Sequence, residues 1–303
     1  MATQNTVAHR ASTDKPAAAA GTITFGDLTV NRMGYGAMRI TGKGIFGPVA
    51  DRDEAIRVLR RAVELGVDFI DTADSYGPNV SEELIAEALH PYPKGLVIAT
   101  KGGFERPGPD KWVTNGRPEH LREALHGSLR RLKLEQIDLW QLHRIDDKVP
   151  EGEQFDVLAS FVKEGLVRNV GLSEVDVDAV ERARRVVDIV SVQNRYNVME
   201  RRWDDVVDYC ERNSMAFIPW FPLGAGSLDD KESSRPAKRL EQVAQQHDAT
   251  PMQAGLAWLL ARSPSMLVIP GTSKVAHVEE NVAAAEVELS DDEVRALGGG
   301  AGR

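Results

Sequence analysis

The 303 residues are 42% hydrophobic and 27% charged with a formal net charge of -9; this is a globular composition, and an acidic balance without a basic stripe excludes a nucleic-acid partner. No apolar run approaches the roughly 20 residues of a membrane span, and residues 1–20 lack the apolar core of a secretory signal, so a cytoplasmic protein is expected. Cys210 is the single cysteine, which rules out an intramolecular disulfide, and its place in the helical pattern DVVDYCERN suits a buried structural thiol.

Residues 1–20 read as a flexible tail and 21–303 as a single domain. A hairpin comes first, TITFGDLTV, with Gly26 and Asp27 at its turn. Eight strands follow in order: RMGYGAM, DFIDTA, LVIATK, IDLWQLH, VRNVGLS, IVSVQN, AFIPWF and LVIPG. An amphipathic helix lies after each of them. The first is expected from about Asp53 to Leu65, with Asp51 as N-cap and Gly66 as its stop. The others are SEELIAEAL, PEHLREALHGSLRRL, EQFDVLASFVKE, DVDAVERARRVV, WDDVVDYCERN, PMQAGLAWLLAR and AHVEENVAAAE, with one additional helix, AKRLEQVAQQH, between the seventh strand and its main helix. Eight strand–helix units predict an α/β (β/α)8 TIM barrel.

In such a barrel the C-terminal strand ends converge on one face. Asp71 closes the second strand, Tyr76 follows in its loop, Lys101 ends the third and His143 the fourth. Each alone has an ordinary reading as a solvated rim residue; together they make a proton-donating site. A lysine ammonium favours the phenolate of a neighbouring tyrosine and a carboxylate keeps that lysine charged, so Tyr76 is expected to have a lowered pKa and to exchange protons near neutral pH. His143 is placed to polarise a carbonyl oxygen.

Carbonyl reduction needs a hydride source, and the later strand ends suit a nicotinamide: Ser173 and Gln193 for its carboxamide, Trp220 to stack on its ring. The segment Gly271, Thr272 and Ser273 precedes a helix whose first amides are free for a phosphate, with Lys274 adding charge. Trp220 taken singly is equally a core aromatic, and GTSK equally an ordinary helix start. No G-x-G-x-x-G fingerprint follows a strand. The seven histidines are scattered, with His143 alone at a strand end, so no metal site is expected.

The ordered motifs FIDTADSYG, IATKGG, QLHR, VGLSE, VQNRYN, PWFPLG, and IPGTSK with EEN resemble the successive signatures of the aldo-keto reductases, over about Thr22 to Leu297. The resemblance implies a (β/α)8 barrel that binds NADP(H) and transfers hydride to aldehydes or ketones. By motif position it assigns Asp71, Tyr76, Lys101 and His143 to the catalytic tetrad. It puts Gly36, Ala37 and Met38 beside the nicotinamide, Phe221, Leu223 and Gly226 in the loop along the pyrophosphate, and Glu280 and Asn281 at the adenine. Three positions depart from the pattern. Glu174 stands where many relatives have asparagine and is expected to accept a hydrogen bond from the carboxamide. Gly271 and His277 replace basic residues that grip the 2′-phosphate, leaving Thr272, Ser273 and Lys274 to hold it. The chain also ends soon after SDDEVRAL, where longer relatives carry a substrate-covering loop.

Within the family, GYGAMRITGKGIFGP with DRDEAI and HPYP resembles the bacterial branch that includes pyridoxal reductases. Phe46, Phe104 and Trp112 are expected on the substrate rim, suited to a flat aromatic aldehyde and equally explained by loop packing. Two other readings stand beside this one: a non-enzymatic subunit that binds NADPH and senses redox state, and a biosynthetic reductase dedicated to one ketone.

Overall fold

The computed structural model describes residues 15–224 and 235–298. The chain enters through a short 3-10 helix, Pro16–Ala20, whose Ala17 and Ala20 are buried and whose Ala17 amide donates to the Leu65 carbonyl at 3.1 Å. The expectation of a flexible tail through residue 20 is therefore corrected for 16–20, where small alanines let the chain lie close against the body. Residues 1–14 lie outside the described residues.

The hairpin forms as expected from β1 (Thr22–Phe25) and β2 (Leu28–Asn31). Its turn needs glycine: Gly26 has φ +55°, and a Cβ there would lie 2.1 Å from Asn169 Oδ1. Asp27 fastens it to the body through Asn169 Nδ2 at 2.6 Å and the Arg168 guanidinium at 2.6 Å.

The parallel sheet then builds from β3 (Tyr35–Gly36), β4 (Phe69–Asp71), β5 (Val97–Gly102), β8 (Ile137–Leu142), β9 (Val167–Ser173), β10 (Ile189–Gln193) and β11 (Ala216–Phe217), each paired to the next. Between β5 and β8 the chain forms an antiparallel hairpin that the sequence reading missed, β6 (Phe104–Gly108) and β7 (Lys111–Thr114). The eighth barrel stave, expected at LVIPG, is not a regular strand. Parallel bridges Met33–Val268 and Phe217–Met266 place it between β3 and β11, with Gly34 N to Val268 O at 2.8 Å and Leu267 N to Phe217 O at 3.0 Å closing the ring. Pro264 and Pro270 bound this segment and have no N–H to extend its pairing.

Helices cover the outside: α1 (Arg52–Glu64), α2 (Val80–Leu89), α3 (Pro118–Leu132), α4 (Glu151–Lys163), α5 (Val177–Arg184), α6 (Asp204–Arg212), α7 (Arg235–Gln246), α8 (Pro251–Arg262), α9 (Val275–Ala283) and α10 (Asp291–Leu297). The Asp51 side chain accepts from the Glu54 amide, and Gly66 takes φ +92° past the end of α1, as its sequence signals predict. Helix α7 is the additional helix. Cys210 is buried on α6, and burial pushes its thiol up to about 12. Among the described residues no helix is long and apolar enough to cross a membrane.

Strand side chains point alternately to the two faces. The phase facing the barrel axis starts apolar and ends polar: Phe69 to Asp71, Val97 and Ala99 to Lys101, Leu139 and Gln141 to His143, Ile218 to Trp220. The apolar half joins Ile23, Phe25, Leu28 and Val30 of the hairpin in one buried cluster, with the Phe25 and Phe69 rings edge-on at 6.3 Å. The hairpin thus stoppers the N-terminal end, and the polar half opens at the other. Phe25 is 1% exposed, so Phe25→Ala is expected to lower the unfolding free energy by about 3 to 5 kcal/mol, read from urea denaturation.

Candidate active site

A cavity of about 610 Å³ opens at the C-terminal end of the barrel. Asp71, Tyr76, His143, Ser173, Gln193 and Trp220 all reach its wall. Beneath it Lys101 is fully buried, and its Nζ donates to Asp71 Oδ1 at 2.6 Å, to the Thr72 carbonyl at 2.8 Å and to Tyr76 Oη at 3.2 Å. Asp71 Oδ2 in turn accepts from Gln193 Nε2 at 2.8 Å and from Gln141 Nε2 at 3.1 Å. The Tyr76 and His143 rings stand edge-on at 5.9 Å. Ser75, which the sequence reading passed over, sits with its Oγ 3.3 Å from His143 Nδ1 and steadies the imidazole. Its signal was adjacency to Tyr76 alone.

Burial is the largest influence on the pKa values of Lys101, Tyr76 and His143. It would lower the Lys101 pKa, but Asp71 and Tyr76 together outweigh it, so the ammonium is held above the ordinary lysine value. For Tyr76 burial raises the pKa, Lys101 opposes this and Asp71 adds to it, and the outcome is upward. The expectation of a phenol drawn down by lysine is corrected: burial, with Asp71 adding to it, outweighs the lysine's field, and Tyr76 holds its proton. His143 is lowered well below the ordinary histidine value by burial, then by Lys101, Arg144 and Arg106. Its imidazole is neutral at neutral pH.

The groups proposed for a nicotinamide are brought together, with complementary bonding. Gln193 commits its NH₂ to Asp71, which leaves Oε1 to accept from an amide, and Ser173 Oγ accepts from Arg144 Nη1 at 2.9 Å, which leaves its proton to donate. Gly36, Met38, Phe221, Leu223 and Gly271 line the same cavity. Ala37 does not; it is buried, and its carbonyl accepts from Ser81 Oγ. Gly226 lies outside the described residues. A side chain is excluded at Gly271, where a Cβ would meet the Gly36 carbonyl at 2.5 Å.

Glu174 is turned away from the cavity, which corrects its expected carboxamide contact. Its backbone is left-handed, with φ +56°. Oε1 accepts from Trp220 Nε1 at 2.8 Å and from the Arg195 amide, and Oε2 pairs with the Arg202 guanidinium at 2.7 Å. The carboxylate therefore pins the indole edge. At α9 the first amide is not free: Val275 N donates to Glu54 Oε1 at 3.1 Å, and Lys274 N to Thr272 Oγ1 at 3.1 Å. Thr272 Oγ1 also lies 3.3 Å from His277 Nδ1. Ser273 and Lys274 stay accessible beside this helix end. Glu280 and Asn281 sit further along α9, off the cavity wall, with the Glu280 carbonyl bonded to Gln253.

On the open side Phe104 packs edge-on to His143 at 4.7 Å and to Trp112 at 5.3 Å. Phe46 is not on the wall; its neighbour Ile45 is. Arg106 separates Phe46 from the cavity, its guanidinium 3.6 Å from the Trp112 ring and 5.8 Å from the Phe46 ring. The same guanidinium donates to the carbonyls of Ser75, Gly44 and Lys111 at 2.7 to 2.9 Å, which straps the β6–β7 hairpin to two loops. Arg39, Arg144 and Met252 also line the cavity and were not anticipated.

A model described as the Aldo/keto reductase family matches residues 32–299. An uncharacterized oxidoreductase of Schizosaccharomyces pombe is 52% identical over 93% of this chain and 90% of its own length. Pyridoxine 4-dehydrogenase of Escherichia coli K12 is 44% identical over 92% and 97% respectively. Among solved structures, glycerol dehydrogenase of Gluconobacter oxydans superposes with a TM-score of 0.82 at 27% identity, covering 92% of this chain and 94% of that one. An aldo-keto reductase of Klebsiella pneumoniae in complex with NADPH superposes at 0.76 and 26% identity, covering 91% and 93%.

Because the Glu174 carboxylate carries the indole bond and an ion pair together, Glu174→Ala is expected to lower the unfolding free energy by about 1.5 to 3 kcal/mol. Glu174→Gln keeps an acceptor for the indole and should lose less than half of that in the same urea titration. Equal losses would show that the Arg202 pair, not the indole bond, holds this corner.

Proposed function

Since the chain belongs to the aldo/keto reductase family, we propose that it reduces aldehydes and ketones to alcohols with NADPH, Tyr76 delivering the proton. The observation that carries this reading is the buried relay of Asp71, Lys101 and Tyr76, ending in a phenol that faces a cavity shared with a neutral imidazole. Bound NADPH supplies the hydride. Ser173 and Gln193 orient its carboxamide, and Trp220, held by Glu174, offers a face to its ring. His143 donates a hydrogen bond to the substrate oxygen, and Lys101 steadies the phenolate left when Tyr76 gives up its proton. Met38, Phe221 and Leu223 exclude water around the ring. Gly36 and Gly271 on the cavity wall would lie beside the cofactor, and Thr272, Ser273 and Lys274 would hold its 2′-phosphate. Glu280 and Asn281 are assigned to the adenine.

Pyridoxal and simple aromatic aldehydes are the substrates we propose first. The name of the 44% identical E. coli relative supports this, as does the aromatic wall of Phe104 and Trp112. A cytoplasmic setting is part of the reading, and the free, buried Cys210 is consistent with it.

NADPH consumption followed by absorbance, with pyridoxal and with benzaldehyde, tests the reading directly. Tyr76→Phe is expected to cut turnover by ~100-fold or more while leaving NADPH binding within a few-fold of wild type. Wild-type turnover by this variant would remove Tyr76 from the role of proton donor.

The shifts at Tyr76 and His143 also set a pH profile. Reduction requires the protonated phenol, whose pKa is raised, and the neutral imidazole, whose pKa is lowered. Activity is therefore retained below the folded Tyr76 pKa and lost as pH rises through it; on the acid side it is lost only as pH falls through the depressed His143 pKa. We expect kcat/KM to stay level from about 6.5 to about 10, the ordinary values of the two side chains. A bell centred inside that window would contradict the assignment.

A further inference from the structure

Arg144 is a cation on the wall of the cavity that no carboxylate among the described residues meets in a hydrogen bond or ion pair; Glu174 acts on it only from a distance. Its Nη1 donates to the His143 carbonyl at 2.6 Å and to Ser173 Oγ at 2.9 Å, which leaves Nη2 and Nε without a protein acceptor among the described residues. The guanidinium lies between two rings, 5.6 Å from the Phe104 centroid and 6.0 Å from that of Trp220. Nearby carboxylates are committed elsewhere. Asp71 is taken up by Lys101, Gln141 and Gln193, and Glu174 by Arg202, Trp220 and the Arg195 amide. Arg39, the other arginine on the wall, is exposed, and its Cγ stands 3.7 Å from where a Gly271 Cβ would be, on the side assigned to the cofactor phosphates. Arg144 is instead the neighbour of His143, at the point where a substrate carbonyl would be held.

The faces of Phe104 and Trp220 favour the cation but give its open N–H groups no acceptor, and a guanidinium with open donors binds a carboxylate better than any neutral group. We propose that Arg144 selects carbonyl substrates that carry an anionic oxygen, a carboxylate above all, near the aldehyde or ketone. This rests on the carbonyl-reductase reading and adds the substrate class to it. Pyridoxal falls in that class, because its ring hydroxyl beside the aldehyde is acidified by the protonated ring nitrogen. A simple neutral benzaldehyde satisfies the rings and leaves the guanidinium unanswered.

The test compares 3-formylbenzoate and 4-formylbenzoate with their methyl esters, which keep the ring and the aldehyde and remove the charge. In the wild-type enzyme at least one acid is expected to exceed its ester in kcat/KM by about tenfold or more. Arg144→Gln should bring that ratio close to one, and Arg144→Lys should restore most of it. The ratio cancels any loss common to both substrates, such as a disturbed Ser173. Arg144→Gln also removes the bond to Ser173 Oγ, so NADPH affinity, read by quenching of protein fluorescence, is expected to fall with it, while the acid-to-ester ratio reports the substrate contact alone. A wild-type ratio near one for both pairs, a ratio that Arg144→Gln leaves unaltered, or a loss confined to NADPH affinity would each overturn the proposal. Turnover of neither acids nor esters by wild type would overturn the carbonyl-reductase reading, and this proposal with it.

Discussion

The ammonium of Lys101 is completely buried, and much of the open end of the barrel is arranged around it. A buried cation survives only when opposite charge and enough acceptors surround it. Asp71 from the adjacent strand meets it at 2.6 Å, the Thr72 carbonyl and the Tyr76 hydroxyl complete its three donors, and two glutamine amides hold the far oxygen of Asp71. Four strands are thereby tied together at one level: β4, β5, β8 and, across β9, β10. The geometry that keeps the lysine charged is the geometry that aims the phenol.

That arrangement was legible at the strand ends. Asp71, Lys101 and His143 each end an apolar run, and C-terminal strand ends converge on one face of a barrel, so the three could be put together without knowing any distance; their even spacing from Phe69, Ala99 and Leu139 is what aims them at the axis. Residues outside that periodicity were harder to place. Glu174 follows the last residue of β9, and only its left-handed φ sends the side chain to Trp220 instead of into the cavity. Phe46 and Ile45 differ by one position in a glycine-rich loop, and no periodicity says which faces inward. The β6–β7 hairpin was missed because Pro107 and Pro109 interrupt a run of only eleven residues that joins no other sheet. The direction of the Tyr76 shift depended on how far burial and Asp71 outweigh Lys101, which residue order cannot convey.

The helix end at α9 shows how a local solution constrains the cofactor side. Glu54, from the first turn of α1, accepts the Val275 amide and also pairs with Arg57 at 2.7 Å. The amide that would otherwise lie open at this helix start is bonded to a carboxylate of the fold. Gly271 lies against the Gly36 carbonyl and Gly36 against the Ile269 carbonyl, so neither can bear a side chain. Charge at this edge has to come from positions outside the pinch, which is where Lys274 and Arg39 stand.

Arg106 fastens the β6–β7 hairpin through main-chain oxygens of residues 44, 75 and 111. A main-chain oxygen is the same whichever side chain its residue carries. The strap's hydrogen bonds therefore do not depend on the identities of Ile45 or Phe104, side chains that shape the mouth, whereas the Trp112 ring stacks on the guanidinium at 3.6 Å and belongs to the strap. Descendants of this chain can exchange Ile45 and Phe104 to accept new molecules while the relay of Asp71, Lys101 and Tyr76 below keeps its alignment, so the barrel's chemistry and its diet are inherited separately.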